Sequence, residues 1–250
     1  MIKTLIRFVA LSAFLSLIMI TTAAAQDFKK SYNLGAGGQI RVSNISGNVS
    51  VKGYNGSEVI VTGIKKGRDQ DKLEIEDEST GNSVEIGVQY PKNCNCEASV
   101  NFEVQVPRSV RFEYDRISSV SGNVDLFDVT GKVEASSVSG NVRVKGVSGH
   151  VSATSVSGNV DVEVNQLDGS DDLEFSSVSG NVNVRMPSNL DANVDMSSFS
   201  GDITSDFPVE IKKKRYGPGS AAHGRLGSGT RQLSMKSVSG NVNLLYSRAQ

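Results

Sequence analysis

The sequence predicts an all-β fold: a single-stranded parallel β-helix, or β-solenoid, with turns of about 18–22 residues and the right-handed sense favoured. Three observations predict it. The hexapeptide Ser-Val-Ser-Gly-Asn-Val recurs at Ser119–Val124, Ser137–Val142, Ser155–Val160, Ser177–Val182 and Ser237–Val242, with looser copies at Asn44–Val49 and Ser198–Ile203. Around each motif glycine, apolar residues fall two before, two after and four after, as Val138, Val142 and Val144 do around Gly140. Such alternation marks a strand with one buried face, so all three valines are assigned to the core. Finally, Gly122, Gly131, Gly140, Gly149 and Gly158 are nine residues apart but alternate in kind. Leu126, Val144 and Val162 follow the odd copies, and Ala135 and Ala153 the even ones. The repeating unit is therefore an eighteen-residue turn with two unlike strands, and like positions stack on like.

In chain order, residues 1–25 read as a cleaved signal peptide. Lys3 and Arg7 give a positive start, Phe8 to Ile20 an apolar run, and Ala23-Ala24-Ala25 a small-residue cleavage site. Residues 26–250 form one solenoid domain. Irregular turns fill 28–117, with strands expected at Ile40–Val51, Glu58–Thr62, Leu73–Ile75, Val84–Val88 and Val100–Val106. These first turns must cap the stack, because an open strand edge invites aggregation. Regular repeats fill 118–205. Their later turns lengthen, to 22 residues between Gly158 and Gly180 and 21 between Gly180 and Gly201. Phe175 and Met196 then stand where Ala135 and Ala153 stood, because a wider cross-section needs larger side chains. Residues 206–232 are expected as a polar loop excursion, carrying Lys212-Lys213-Lys214-Arg215 and Gly217-Pro218-Gly219. A final repeat occupies 233–246.

Composition narrows the function classes. Without Lys3 and Arg7, 24 basic residues face 27 acidic ones, a balance that argues against nucleic acid as a partner. No later apolar run reaches the ~20 residues of a membrane span, so the mature chain is expected to have no transmembrane segment. Twenty-five glycines and five prolines suit tight turns and uninterrupted strands.

Several residues qualify as sites. Asn123, Asn141, Asn159, Asn181 and Asn241, with Asp202, should stack turn upon turn as a structural ladder bonded through side-chain amides. Three residues after the motif glycines, Asp125, Arg143 and Asp161 should lie about 4.8 Å apart on adjacent turns. They form an ion-pair ladder or a polar stripe for a polymeric ligand. Cys94 and Cys96 could form a disulfide in an exported protein. His150 and His223 have no clustered partner, so no metal site is expected there. Asp168, Asp171, Asp172 and Glu174 gather around Gly169, but Asp-Gly is ordinary turn sequence and the calcium-solenoid nonapeptide is absent. Gly224-x-x-Gly227-x-Gly229 lacks the strand–helix context of a phosphate loop. No cofactor is expected.

The chain resembles the bacterial putative-adhesin family, exported β-repeat proteins carrying a domain of unknown function. The matching residues are Gly53-Tyr54-Asn55-Gly56-Ser57-Glu58-Val59, Val100-Asn101-Phe102-Glu103-Val104-Gln105-Val106-Pro107, the Ser-Gly-Asn-Val series, and the stretch from Gly224 through Leu244. The resemblance implies a β-repeat fold and brings no catalytic residues. The expected function is a non-enzymatic adhesin or cell-envelope scaffold in the periplasm, at the outer surface or secreted, with a polysaccharide or protein ligand. The competing reading is a β-helix lyase or hydrolase acting on polysaccharide, with carboxylates drawn from Asp125, Asp161, Asp171 and Asp172.

Overall fold

A computed structural model describes residues 28–213 and 219–247. The signal segment expected at 1–25, and Lys214 and Arg215 of the basic run, lie outside the described residues. Among the described residues the fold is all-β, apart from one 3-10 turn at Gln70–Lys72. The first strands are β1 (Phe28–Tyr32), β2 (Gln39–Ser46), β3 (Val49–Tyr54), β4 (Val59–Gly67), β5 (Glu74–Asp77), β6 (Ser83–Gln89) and β7 (Ala98–Pro107). The repeats supply β8 (Phe112–Ser121), β9 (Val124–Phe127), β10 (Thr130–Ser139), β11 (Val142–Ser157), β12 (Val160–Gln166), β13 (Leu173–Ser179), β14 (Val182–Met186), β15 (Ala192–Ser200) and β16 (Ile203–Ser205). The chain closes with β17 (Glu210–Lys213), β18 (Ser220–Leu226), β19 (Gln232–Ser239) and β20 (Val242–Tyr246).

Each motif glycine separates a strand of one ladder from a strand of a second, so one repeat makes one two-sided rung. The first ladder runs β6, β2, β8, β10, β11, β13, β19, β15, all parallel. The second runs β7, β3, β9, β11, β12, β14, β20, β16, also parallel. β11 passes through the corner at Gly146 and belongs to both. The eighteen-residue spacing is the register: Val142 pairs with Val124 and with Val160. Ala135, Ala153, Phe175, Met235 and Met196 form one inward row, and all five are buried.

Three expectations need correction. First, a purely parallel winding does not describe the ends. β4 pairs antiparallel with both β1 and β7, and β5 with β6. At the other end β18 pairs antiparallel with β15 and with β17. These returns cover β6 and β7 at one end and β15 at the other, edges that a parallel stack would leave open. Second, residues 206–232 are not simply a polar loop, because β17 and β18 lie there. Ala222 and Leu226 of β18 are buried, and Ala222 lies beside Met196, so the segment carries its own inward face. Third, the rungs do not stack in chain order. The rung of β2 and β3 lies between that of β6 and β7 and that of β8 and β9. The last rung, β19 and β20, lies between the rung of β13 and β14 and that of β15 and β16. Because antiparallel strands close both ends, the chain's first and last rungs sit one place inside.

The first end is tied across the two ladders. Asp77, on β5, accepts bonds from Lys30 Nζ at 2.5 Å and from the Tyr32 hydroxyl at 3.0 Å, both on β1. Burial pushes the Asp77 carboxyl up, but Lys30, Ser79 and Tyr32 outweigh it and hold the pKa at about 2. In the unfolded chain an Asp titrates near ~3.9. The contribution is therefore complete above about pH 4 and is lost as pH falls through about 2. Urea midpoints measured from pH 5 down to pH 2 should fall in the wild type. Asp77→Asn should start lower at pH 5 and fall less, and an equal fall in both would refute the assignment.

Candidate interaction surface

The motif corner is built from the glycine outward. A Cβ placed on Gly140 would lie 2.1 Å from the carbonyl oxygen of Gly122, and one on Gly158 would lie 2.1 Å from that of Gly140. The same contact recurs from Gly122 on Gly47 up to Gly201 on Gly240. Only a residue without a side chain lets successive rungs close to strand spacing here. The serine three places earlier points inward and donates to the glycine carbonyl of the preceding rung. Ser137 bonds Gly122 at 2.8 Å, Ser155 bonds Gly140 at 2.9 Å and Ser177 bonds Gly158 at 2.8 Å. Asn44 holds the serine's place in the first of these rungs and bonds the Val100 carbonyl at 2.7 Å.

The asparagine ladder forms, but through different atoms from those expected. Each Asn Oδ1 accepts the backbone N–H of the next rung's residue. The chain of bonds runs Asn48 to Asn123, Asn141, Asn159, Asn181, Asn241 and Asp202, at 2.8–2.9 Å throughout. An amide-to-amide bond is seen at Asn141–Asn123, at 3.4 Å. The order also differs from the chain's, since Asn241 precedes Asp202.

The valine before the glycine is not in the core, which corrects the assignment made for Val138. Val120, Val138, Val156 and Val178 are 45–46 % exposed, Val238 50 %, Ile45 45 % and Phe199 56 %. The physical reason is a slip of phase at the corner. In β10, Val133, Ala135 and Ser137 point inward, so Val138 must point out. Past the glycine, Val142 and Val144 point in again, although they are an even number of residues from Val138. These seven residues stack rung on rung into an apolar ridge about 29 Å long, taking ~4.8 Å per step. The next row along, Ser121, Ser139, Ser157, Ser179, Ser200 and Ser239, is exposed. From the ridge through the asparagine row, the only charged residue is Asp202.

The Toastrack DUF4097 family matches residues 28–245. The chain belongs to this family. Among solved structures it is similar to a putative cell adhesion protein from Clostridium sporogenes ATCC 15579. The two are 12 % identical, with 88 % of this chain and 99 % of that one covered and a TM-score of 0.50. It is also similar to a putative adhesin from Bacteroides fragilis NCTC 9343, 15 % identical over 87 % of this chain and 96 % of that one, with a TM-score of 0.40. No curated protein matches.

Several of the other candidate residues of this Toastrack chain are held by neighbouring groups. Arg143 lies in register between Asp125 and Asp161. Its Nη1 reaches Asp125 Oδ1 at 3.2 Å, and burial pushes the Asp125 carboxyl up against the pull of that guanidinium. Asp161 instead accepts from Asn183 Nδ2 at 2.8 Å, and Asn183 from Asn243 at 2.7 Å. Asp168 pairs with Arg111 at 2.5 Å, and Asp172 accepts the Gln232 N–H at 2.8 Å. Among the described residues no three metal-ligating side chains gather. Cys94 and Cys96 are joined by a disulfide, with Cα atoms 5.1 Å apart, between β6 and β7.

Two of the concavities are polar. One of about 370 Å³ is lined by Asn165, Gln166, Asn189, Asp191 and the buried Arg231, among others. Ser228 and the Thr230 N–H hold the Asp191 carboxyl down at about 2. Another, of about 200 Å³, has Glu113, Asp115 and Glu134 in its wall. There Arg41 takes Asp115 at 2.8 Å and Lys132 lies 3.5 Å from Glu134.

Three substitutions test the corner by chemical denaturation. Gly140→Ala should cost roughly 3 kcal/mol or more, since the new carbon meets backbone. Gly87→Ala, whose Cβ would meet nothing nearer than 3.8 Å, should change stability by less than about 1 kcal/mol. Asn141→Ala strands the Asn159 N–H and should cost about 1–3 kcal/mol. Equal effects of the two glycine changes would refute the close-contact account.

Proposed function

We propose that this protein is an exported, non-enzymatic scaffold of the bacterial cell envelope or surface that works as an adhesin, through contact rather than chemistry. The two ladders are read as one single-chain β-solenoid. The observation that carries the function is the ridge. Seven half-exposed apolar side chains in one line, edged by serine, are an unusual thing to show to water, and contiguous patches of this size mark interaction sites. The leader sequence supports export, and the names of the structural neighbours agree with a surface role. Against the polysaccharide-enzyme reading, Arg143 separates Asp125 from Asp161, and Asp172 is held by the Gln232 N–H.

Immobilised protein without residues 1–25 should retain isolated bacterial envelopes or intact cells. The double variant Val138→Lys, Val156→Lys should keep its unfolding midpoint, because both side chains already face water, and should bind about tenfold more weakly or worse. Undiminished binding by that variant would sink the proposal. So would polysaccharide turnover that Asp161→Ala abolishes.

A further inference from the structure

The corner opposite the motif holds a buried arginine without a counter-ion. We infer that the cavity lined by Arg231 binds one uronic-acid unit of an acidic polysaccharide, with the sugar carboxylate on the guanidinium. The site lies apart from the ridge and does not depend on reading the ridge as a contact surface.

Rung order builds the site. At this corner the chain returns from the second ladder to the first, after β12 and again after β14. β19 enters the first ladder between β13 and β15. Arg231, just ahead of β19, therefore comes to stand between the turns at 165–172 and 187–191. Its backbone is pinned on both sides. The Arg231 carbonyl accepts the Asn193 N–H at 2.8 Å, and Asp172 accepts the Gln232 N–H at 2.8 Å. The residue is only 9 % exposed. Its Nη2 donates to the Gly169 carbonyl at 2.5 Å. Nε is sealed without a partner, and among the described residues Nη1 meets no acceptor. A guanidinium buried in this way is costly until an anion meets it.

The walls select the anion. Asp191 lines the same cavity, but its two oxygens accept from Ser228 Oγ at 2.6 Å and the Thr230 N–H at 2.9 Å. Among the described residues no carboxylate forms an ion pair with Arg231. Ser228 and the Thr230 N–H hold the Asp191 carboxyl down at about 2, so the wall keeps a negative charge that repels a second one on the ligand. A single carboxylate suits this better than a phosphate monoester, which carries roughly −1.5 to −2 at pH 7. The remaining groups suit hydroxyls. The side-chain amides of Asn165, Gln166 and Asn189 line the cavity and bond no other described residue. Each offers two donors and an acceptor, which adjacent sugar hydroxyls can use together. The volume, about 370 Å³, is at the small end of ligand pockets, ~300–1,000 Å³, and gives room for one ring.

NMR titration of the isotope-labelled chain without residues 1–25 tests this, with sodium D-glucuronate and sodium D-galacturonate as probes. At least one should bind with a Kd on the order of millimolar, and the shifts should centre on Asn165, Asn189 and Arg231. D-glucose, acetate and glucose 6-phosphate should each bind about tenfold more weakly or worse, because each leaves part of the site unpaired or repelled. Arg231→Gln should lose uronate binding. The double variant Asn165→Ala, Asn189→Ala, both exposed, should keep its unfolding midpoint and bind about fivefold more weakly or worse. It tests the site even where the arginine variant does not fold. Neither uronate binding, glucose or acetate binding equally well, the phosphate binding more tightly, or undiminished binding by the asparagine variant overturns the site. The ridge is tested separately, since Val138→Lys, Val156→Lys should bind uronate as the wild type does. Envelope binding lost in that variant, with no uronate bound by the wild type, refutes only this site. Uronate bound, with envelope binding unaltered in that variant, refutes only the ridge.

Discussion

Everything in this fold depends on one contact, the seating of each corner glycine on the carbonyl of the glycine before it. A methyl group there would stand 2.0–2.2 Å from that oxygen at every motif rung, so the rungs close only because the side chain is absent. Closeness makes the carbonyl a problem as well as a platform. It is bent out of the ladder, and an unpaired carbonyl inside a corner is costly. The inward serine supplies the missing donor, and the asparagine oxygen takes up the next rung's amide. Three residues of one motif, the inward serine, the glycine and the asparagine, thus answer one packing decision, which is why the motif varies so little along the stack.

The same corner decides which surface the molecule shows. Turning from one ladder to the other puts an even number of residues, the four from Val138 to Asn141, between the inward Ser137 and Val142, so the alternation slips there. The slip turns the valine before the glycine outward while leaving the pair after it in the core. A ridge of valines beside a hydrogen-bonded spine of asparagine is therefore a by-product of the stacking geometry, and it is the surface most open to use.

Much of this was legible in the residues. The eighteen-residue register, the row in which Phe175 and Met196 succeed Ala135 and Ala153, and the stacked asparagines follow from spacing alone, because parallel strands align like with like. Val138 was misplaced because alternation was counted through the corner. The signal that corrects it is also in the sequence: Val133, Ala135 and Ser137 already occupy the inward places of that strand. The order of the rungs left no such signal. Nothing in Ser237–Val242 distinguishes a last rung from an inner one, and the antiparallel strands that close each end are specified by long-range pairing. The buried face of β18 is hidden by its short side chains, Ser220 and Ala222, within a polar stretch.

That both terminal rungs are enclosed bears on how such a chain can lengthen. Duplicating an end would place a second copy against an antiparallel return strand, where its glycine finds no carbonyl to sit on. Duplicating a middle rung, between Gly122 and Gly158, inserts eighteen residues whose upper and lower faces already match. The near-identical copies are found in that middle stretch, and the degenerate ones towards the outside. The closed ends act as fixed bookends, and the lineage has room to vary its length only from within.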